Sequence, residues 1–223
     1  MCATWNPSSA SWSEVQGICL TRILAVSDEV REQLIDARTA GSLEPVDLIL
    51  GCGDLPADYL DRLAVRYRAP LLFVRGNHDP PGRQGGYPEG AEIDGRLVQQ
   101  DGLLVAGLEG SRRYSEGPHQ YREWEMMTKV VRLRLRLRGR RPDILITHGP
   151  PAGIHDGKDL AHQGLSAIRR ALDWIKPRYL LHGHVHPYSN LTERETGYGP
   201  TRVINVVGYR LLEISPRALQ VPA

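Results

Sequence analysis

Short apolar runs rich in β-branched residues recur along the chain, at Ile18–Val26, Val46–Leu50, Pro70–Val74, Leu103–Gly107, Ile144–Thr147, Tyr179–Leu181 and Arg202–Val207. Most stop at Gly, Asp, Asn or His, which is how buried strands end. Between several of them the apolar residues fall at helical spacing, over Asp28–Ala40, Asp58–Arg66 and His162–Ile175. The last of these sets Leu165, Ile168, Leu172 and Ile175 on one stripe. Strand, loop, helix, strand is the pattern of an α/β sheet covered by helices. No internal repeat or inter-domain linker interrupts it, so one domain is expected.

The stretch Tyr121–Arg138 fits two periods. "VVRLRLRLR" alternates as an amphipathic strand would, while Trp124, Met127, Val131 and Leu135 form a helical stripe that Leu133 and Leu137 would widen. Nothing before Gly139 breaks a helix, and helix is the expectation. Arg132, Arg134, Arg136 and Arg138 could meet a phosphate backbone. The simpler reading is a solvated face whose arginine stems cover apolar surface.

Composition narrows the function classes. A chain of 223 residues with 41% apolar and 24% charged residues is an ordinary globular composition. A net charge of +2 is too small to argue for nucleic acid by itself. No apolar run is long enough to span a membrane. The polar start, "MCATWNPSSASWSEVQG", lacks the basic and apolar regions of a signal peptide and reads as a flexible N-terminal arm over residues 1–17, leaving 18–223 as the domain. Three scattered cysteines, Cys2, Cys19 and Cys52, suit a reducing cytoplasm better than a disulfide framework.

The chemistry lies at the strand ends. Asp28 follows the first run and Asp54 closes "GCGD" after the second; Asn77, His78 and Asp79 sit in "RGNHD" after the third. His148 opens "HGPP", and His182, His184 and His186 make up "HGHVH". In open α/β sheets ligands bind outside the carboxyl ends of the strands. A lone strand-end Asp caps a helix more often than it binds metal, and a lone buried His is usually a satisfied core residue. Five such ends together reverse that, because burying so many ionisable groups without a counter-charge is costly. Asp and His are ligands of zinc, manganese and iron, and an Asn oxygen suits a carboxylate-rich site.

In this order, "GD", "GNHD", a strand-end "TH" and "GHVH" resemble the calcineurin-like metallophosphoesterase superfamily, over Ile23 to about Gly208. "THGPPAGIHDGKDLAHQG" and "KPRYLLHGHVH" resemble a small single-domain branch of it. The resemblance implies a four-layer αββα sandwich of two mixed β-sheets flanked by helices, with one or two divalent ions (Mn, Fe or Zn) per chain. It implies that Asp54 bridges two metals, that Asn77, His148 and His184 complete one site, and that Asp28 and His186 serve the other. It further implies in-line attack on a phosphate ester by a metal-bound hydroxide, with His78 as general acid and Asp79 orienting it. His182 matches no ligand position and is expected to be structural; His155 and His162 suggest only packing.

The family's first motif, Asp-x-His, here reads Asp28-Glu29-Val30. Valine cannot coordinate, so the Asp28 site is expected to bind metal more weakly and the chain to hold near one ion. Glu29 would point the wrong way if a helix starts at once, and Cys52 reads better as a core residue than as a replacement thiolate.

On the substrate side, the resemblance implies that Pro80–Gly95 and the later stretch "GLEGSRRYSEGPHQYREWEM" rim the site. Arg112 is the candidate phosphate contact, with Tyr114 and Tyr121 as weaker candidates for stacking on a base. The expected activity is metal-dependent phosphodiester hydrolysis of a small molecule or nucleotide. A polynucleotide substrate would need a basic groove. The alternative is a scaffold that keeps the fold with a weakened site, as a retromer subunit of the superfamily does.

Overall fold

The computed structural model describes residues 20–36, 45–81, 89–187 and 192–216. The expected arm at 1–17 lies outside them. Two large sheets face each other. In the first the order is β13 (Gly208–Ile214), β1 (Thr21–Ser27), β2 (Leu48–Cys52), β3 (Leu71–Val74), β4 (Ala91–Glu92), all parallel except β13. In the second it is β11 (Glu195–Tyr198), β12 (Thr201–Asn205), β10 (Tyr179–His182), β9 (Ile144–Thr147), β6 (Leu103–Leu108), β5 (Leu97–Gln100), with antiparallel strands at both edges. A small ribbon pairs β7 (Ser111–Arg112) with β8 (Gln120–Tyr121).

Alternation within each strand builds the layers. Ile23 and Ala25 of β1 face the second sheet and join Leu50, Val74, Ile146 and Leu181, while Leu24 and Val26 face outward onto α1 (Ala57–Tyr67) and its Tyr59 and Leu63. The second sheet turns Leu145, Leu180 and Val203 onto α2 (Glu123–Leu137) and α3 (Ser166–Ile175). Central strands are therefore buried on both faces, which explains why they read as continuous apolar runs. The order is helix, sheet, sheet, helix, the αββα sandwich implied by the motifs.

Three expectations are corrected. No helix follows Asp28 as far as Asp36; only a 3₁₀ turn at Glu32–Leu34 forms, and 37–44 lie outside the described residues. Asp28 takes a left-handed φ of 63° and Arg31 is extended, its N–H donating to the Tyr59 hydroxyl, so the chain turns instead of coiling. The helix expected from His162 begins at Ser166, because the Glu123 carboxylate accepts from the N–H groups of Ser166 and Ala167 and fixes the start from another element. Tyr121–Arg138 does contain a helix, α2, but it buries Met126, Val130, Leu133 and Leu137, leaving Trp124 64% and Leu135 71% exposed. Two apolar stripes compete on that helix, and contact with β6 and α3 selects the second.

A candidate metal centre at the strand ends

Two glycines bring the strand ends together. A Cβ on Gly53 would lie 2.6 Å from both the Gly76 nitrogen and His148 Nδ1, and one on Gly76 would lie 2.1 Å from Asp54 Oδ1. The "GCGD" and "RGNHD" loops can touch only because neither residue has a side chain. Asp28, Asp54 and His184 hold left-handed φ angles of 63°, 57° and 69°. Such backbone costs energy and clusters at functional sites.

The donor atoms converge. His148 is fully buried; its Nδ1 donates to the Cys52 carbonyl at 2.8 Å, which leaves Nε2 facing Asn77 Oδ1 at 3.0 Å and Asp54 Oδ2 at 3.1 Å. Two ligand atoms about 2.1 Å from one ion at right angles stand about 3 Å apart, so these spacings suit a shared cation. His184 Nε2 donates to the Ala161 carbonyl at 2.7 Å and frees Nδ1. Asn77 Nδ2 donates to the Tyr114 hydroxyl at 3.0 Å, directing its oxygen inward. Asp54, His148 and His184 offer ligand atoms within 4.8 Å of one another. Each ligand has an outer partner that sets its orientation, as metal ligands usually do. The donor set therefore fits a divalent ion.

Electrostatics agree. Burial alone would push the Asp54 carboxyl up, but the His148 charge and hydrogen bonds from His148 and the His78 N–H outweigh it, lowering its pKa to about 2. Burial would depress His148, but Asp54 raises it to about 9.

The second expected position is looser. Asp28 Oδ2 accepts from the His184 N–H at 2.9 Å, and Asp28 and His186 line the same cleft of about 450 Å³, outside the tight cluster. His78 is exposed on that cleft and on an adjoining hollow of about 470 Å³, its N–H donating to Asp54 Oδ1 at 2.8 Å. Asp79 is placed differently from expectation. Its Oδ2 accepts from the N–H groups of Gly76 at 2.7 Å and Asp54 at 3.0 Å, stapling the two ligand loops together rather than holding the His78 ring. Arg112 pairs with Glu123 at 3.3 Å and does not line the cleft. His182 is structural: buried and held neutral, chiefly by burial, with a pKa of about 3, it donates from Nδ1 to the Gly183 carbonyl and meets His155 through Nε2. Cys52 is a core residue whose thiol burial pushes far up.

Two cleft residues escape a reading of the sequence. The pattern offers Tyr114 only as a stacking surface, yet its hydroxyl sets the Asn77 amide. His162 lines the cleft with its ring centroid 5.5 Å from that of His184, its Nδ1 held by the Asp159 carboxylate at 2.8 Å. The Asp-x-x-His spacing is the available signal; the expectation of a helix starting there hides it.

Fold and site together describe an α/β sandwich whose strands deliver converging Asp, Asn and His side chains, a candidate metal centre, at their carboxyl ends. The chain belongs to the calcineurin-like phosphoesterase superfamily, whose domain model matches residues 21–207. TT1561 of Thermus thermophilus is similar in structure, with a TM-score of 0.60 at 19% identity over 89% of this chain and 100% of that one. Another crystal structure reaches a TM-score of 0.64 at 14% identity over 89% of this chain and 100% of its own. An archaeal phosphodiesterase aligns more distantly, at a TM-score of 0.44 and 13% identity over 87% of this chain and 100% of that one. At these identities the first two likenesses speak to the fold alone. No curated protein matches. Among the described residues no helix is long and apolar enough to cross a membrane.

Proposed function

We propose that this chain hydrolyses phosphate esters with bound divalent metal, and that its substrates are small diesters or nucleotides. The observation that carries the reading is the convergence of Asp54, Asn77, His148 and His184 beside a cleft whose wall includes His78. These four residues would hold one ion; Asp28, Asp54 and His186 would hold the second. When bound, such ions stabilise developing charge and activate water at neutral pH.

The chain's own groups divide the remaining work. His78, fixed through its backbone by Asp54, presents its ring to the leaving oxygen and donates to it. His162, its Nδ1 held by Asp159, would in its imidazolium form donate from Nε2 to a phosphoryl oxygen. Diester over monoester follows from charge. Among the described residues the cleft wall carries no lysine or arginine, so a singly charged phosphate suits it better than a dianion.

The test is hydrolysis of bis-p-nitrophenyl phosphate against p-nitrophenyl phosphate with added Mn²⁺. The diester is expected to turn over faster, and His78→Ala to lower kcat by about 10²- to 10⁴-fold. Turnover of neither compound, with Mn²⁺, Fe²⁺ or Zn²⁺, would remove the enzyme reading and leave the scaffold alternative. His162→Ala is expected to raise KM about 10- to 150-fold while leaving metal content unchanged, since a hydrogen bond to a charged group contributes about 1.5–3 kcal/mol. Steady-state kinetics with elemental analysis checks both halves.

A further inference from the structure

The chain departs from the expected ligand set at Val30, and the structure shows what stands beside that departure. Because no helix forms after β1, the backbone turns at Asp28 and Glu29 N–H donates back to the Ser27 carbonyl at 2.7 Å. This turn carries the Glu29 side chain across to the loop that follows β10. There Glu29 Oε1 lies 3.2 Å from His186 Nδ1, while Oε2 is held by Arg31. Val30 itself is turned outward and 43% exposed.

The two carboxylate oxygens have separate partners. An exposed arginine–carboxylate pair contributes little on its own, and it does not account for the second oxygen. A carboxylate oxygen can only accept, so His186 must donate from Nδ1, and its Nε2 is left as the atom available to a metal. That is the arrangement of a metal-bound histidine with an outer carboxylate, which fixes the ring and raises its basicity. His184 and His148 use backbone carbonyls for the same purpose, at Ala161 and Cys52. His186 is the one expected ligand imidazole with a charged outer partner, and it serves the position that lacks an imidazole.

We propose that Glu29 compensates for the histidine missing at Val30 by holding His186 through Nδ1, and so sustains the second metal position. It is a positioning residue, not a ligand, and the inference rests on the two-metal reading above. Asp28, Asp54 and His186 remain the groups that touch the ion. The substitution of a valine is thus offset from the neighbouring position in sequence, through a partner 157 residues away.

The experiment is calorimetric titration of the metal-free full chain with MnCl₂, with the electron paramagnetic resonance of the bound Mn²⁺ read in parallel. The wild type is expected to show a tight first equivalent and a weaker second one with spin–spin coupling. Glu29→Gln, of the same size, is expected to weaken the second equivalent about tenfold and leave the first unchanged. Glu29→Asp keeps the charge but not the reach and is expected to behave like Glu29→Gln. A second equivalent unmoved by Glu29→Gln, or both equivalents weakened alike, overturns the proposal while leaving the first metal site and hydrolysis standing. A wild type that binds no Mn²⁺ sinks both this inference and the functional reading. Circular dichroism of each variant confirms the fold.

Discussion

Asp54→Asn is expected to lower metal affinity by well over a hundredfold and to abolish hydrolysis, with the fold intact. Asp54 is the one carboxylate in the tight cluster, and both of its oxygens are engaged, Oδ1 by the His78 N–H and Oδ2 by His148. The amide keeps the shape and can still accept from His78, but it removes the negative charge on which the proposed cation site depends. Loss of an outer partner alone typically costs about 10- to 100-fold in metal affinity, so loss of the shared inner carboxylate must exceed that. Elemental analysis and thermal melting together check it. A variant that retains stoichiometric metal would show that Asp54 is not a ligand.

The second large effect is on stability. Lys129 on α2 reaches down to Asp94 at 2.8 Å, Glu109 at 3.0 Å and the Tyr121 hydroxyl at 3.1 Å, and Glu109 also meets His119 at 3.2 Å. Lys129→Met fills similar volume but leaves two largely buried carboxylates without their shared cation. Removing one partner of a buried ion pair costs about 3–5 kcal/mol, a large part of the roughly 5–15 kcal/mol that a domain has in total. Denaturant titration at neutral pH is the measurement.

The same cluster sets a pH signature. Burial would raise the Glu109 carboxyl, but His119, Lys129 and Tyr121 lower it from 4.5 to about 2. Its contribution is therefore complete above pH 4.5 and disappears as pH falls towards 2. Lys129 is pushed above its ordinary 10.5 against the pull of burial, so its contribution is complete below that pH. Asp94 runs the other way, raised by burial and by Glu109, and subtracts from stability once ionised. In Lys129→Met both carboxyls protonate more readily, so the penalty is expected to shrink between neutral pH and about pH 4. A penalty independent of pH would point to packing instead of charge.

What the sequence made legible was the buried part of the molecule. Central strands such as β9 and β3 are apolar on both faces and end in the residues that the site needs, so pattern and chemistry reinforce each other. Edge strands β5, β11 and β13 mix polar and apolar residues because one side meets solvent or a loop, and they carry no clear signal. The buried face of α2 is ambiguous for a different reason: both stripes satisfy the helical period, and only the tertiary contact distinguishes them. The Asp94, Glu109 and Lys129 cluster is invisible in the sequence because its members are brought together from three separate elements across 35 positions. Glu29 points away from the site only on a helix that does not form. Local pattern pointed to the donor residues that converge, while the groups that orient them depend on contacts between distant loops.

The left-handed backbone at Asp28, Asp54 and His184 restricts how this centre could be altered. Aspartate and histidine are among the few non-glycine residues that adopt positive φ with any frequency. Chemistry and conformation therefore narrow the choice at these positions together. Glutamate or cysteine, both competent metal ligands elsewhere, would meet the ion with strained main chain before coordination geometry became the issue. Metal preference in this scaffold should accordingly be easier to retune at Asn77, His148 and His186, where φ is not positive, than at the three positions where the turn itself selects the side chain.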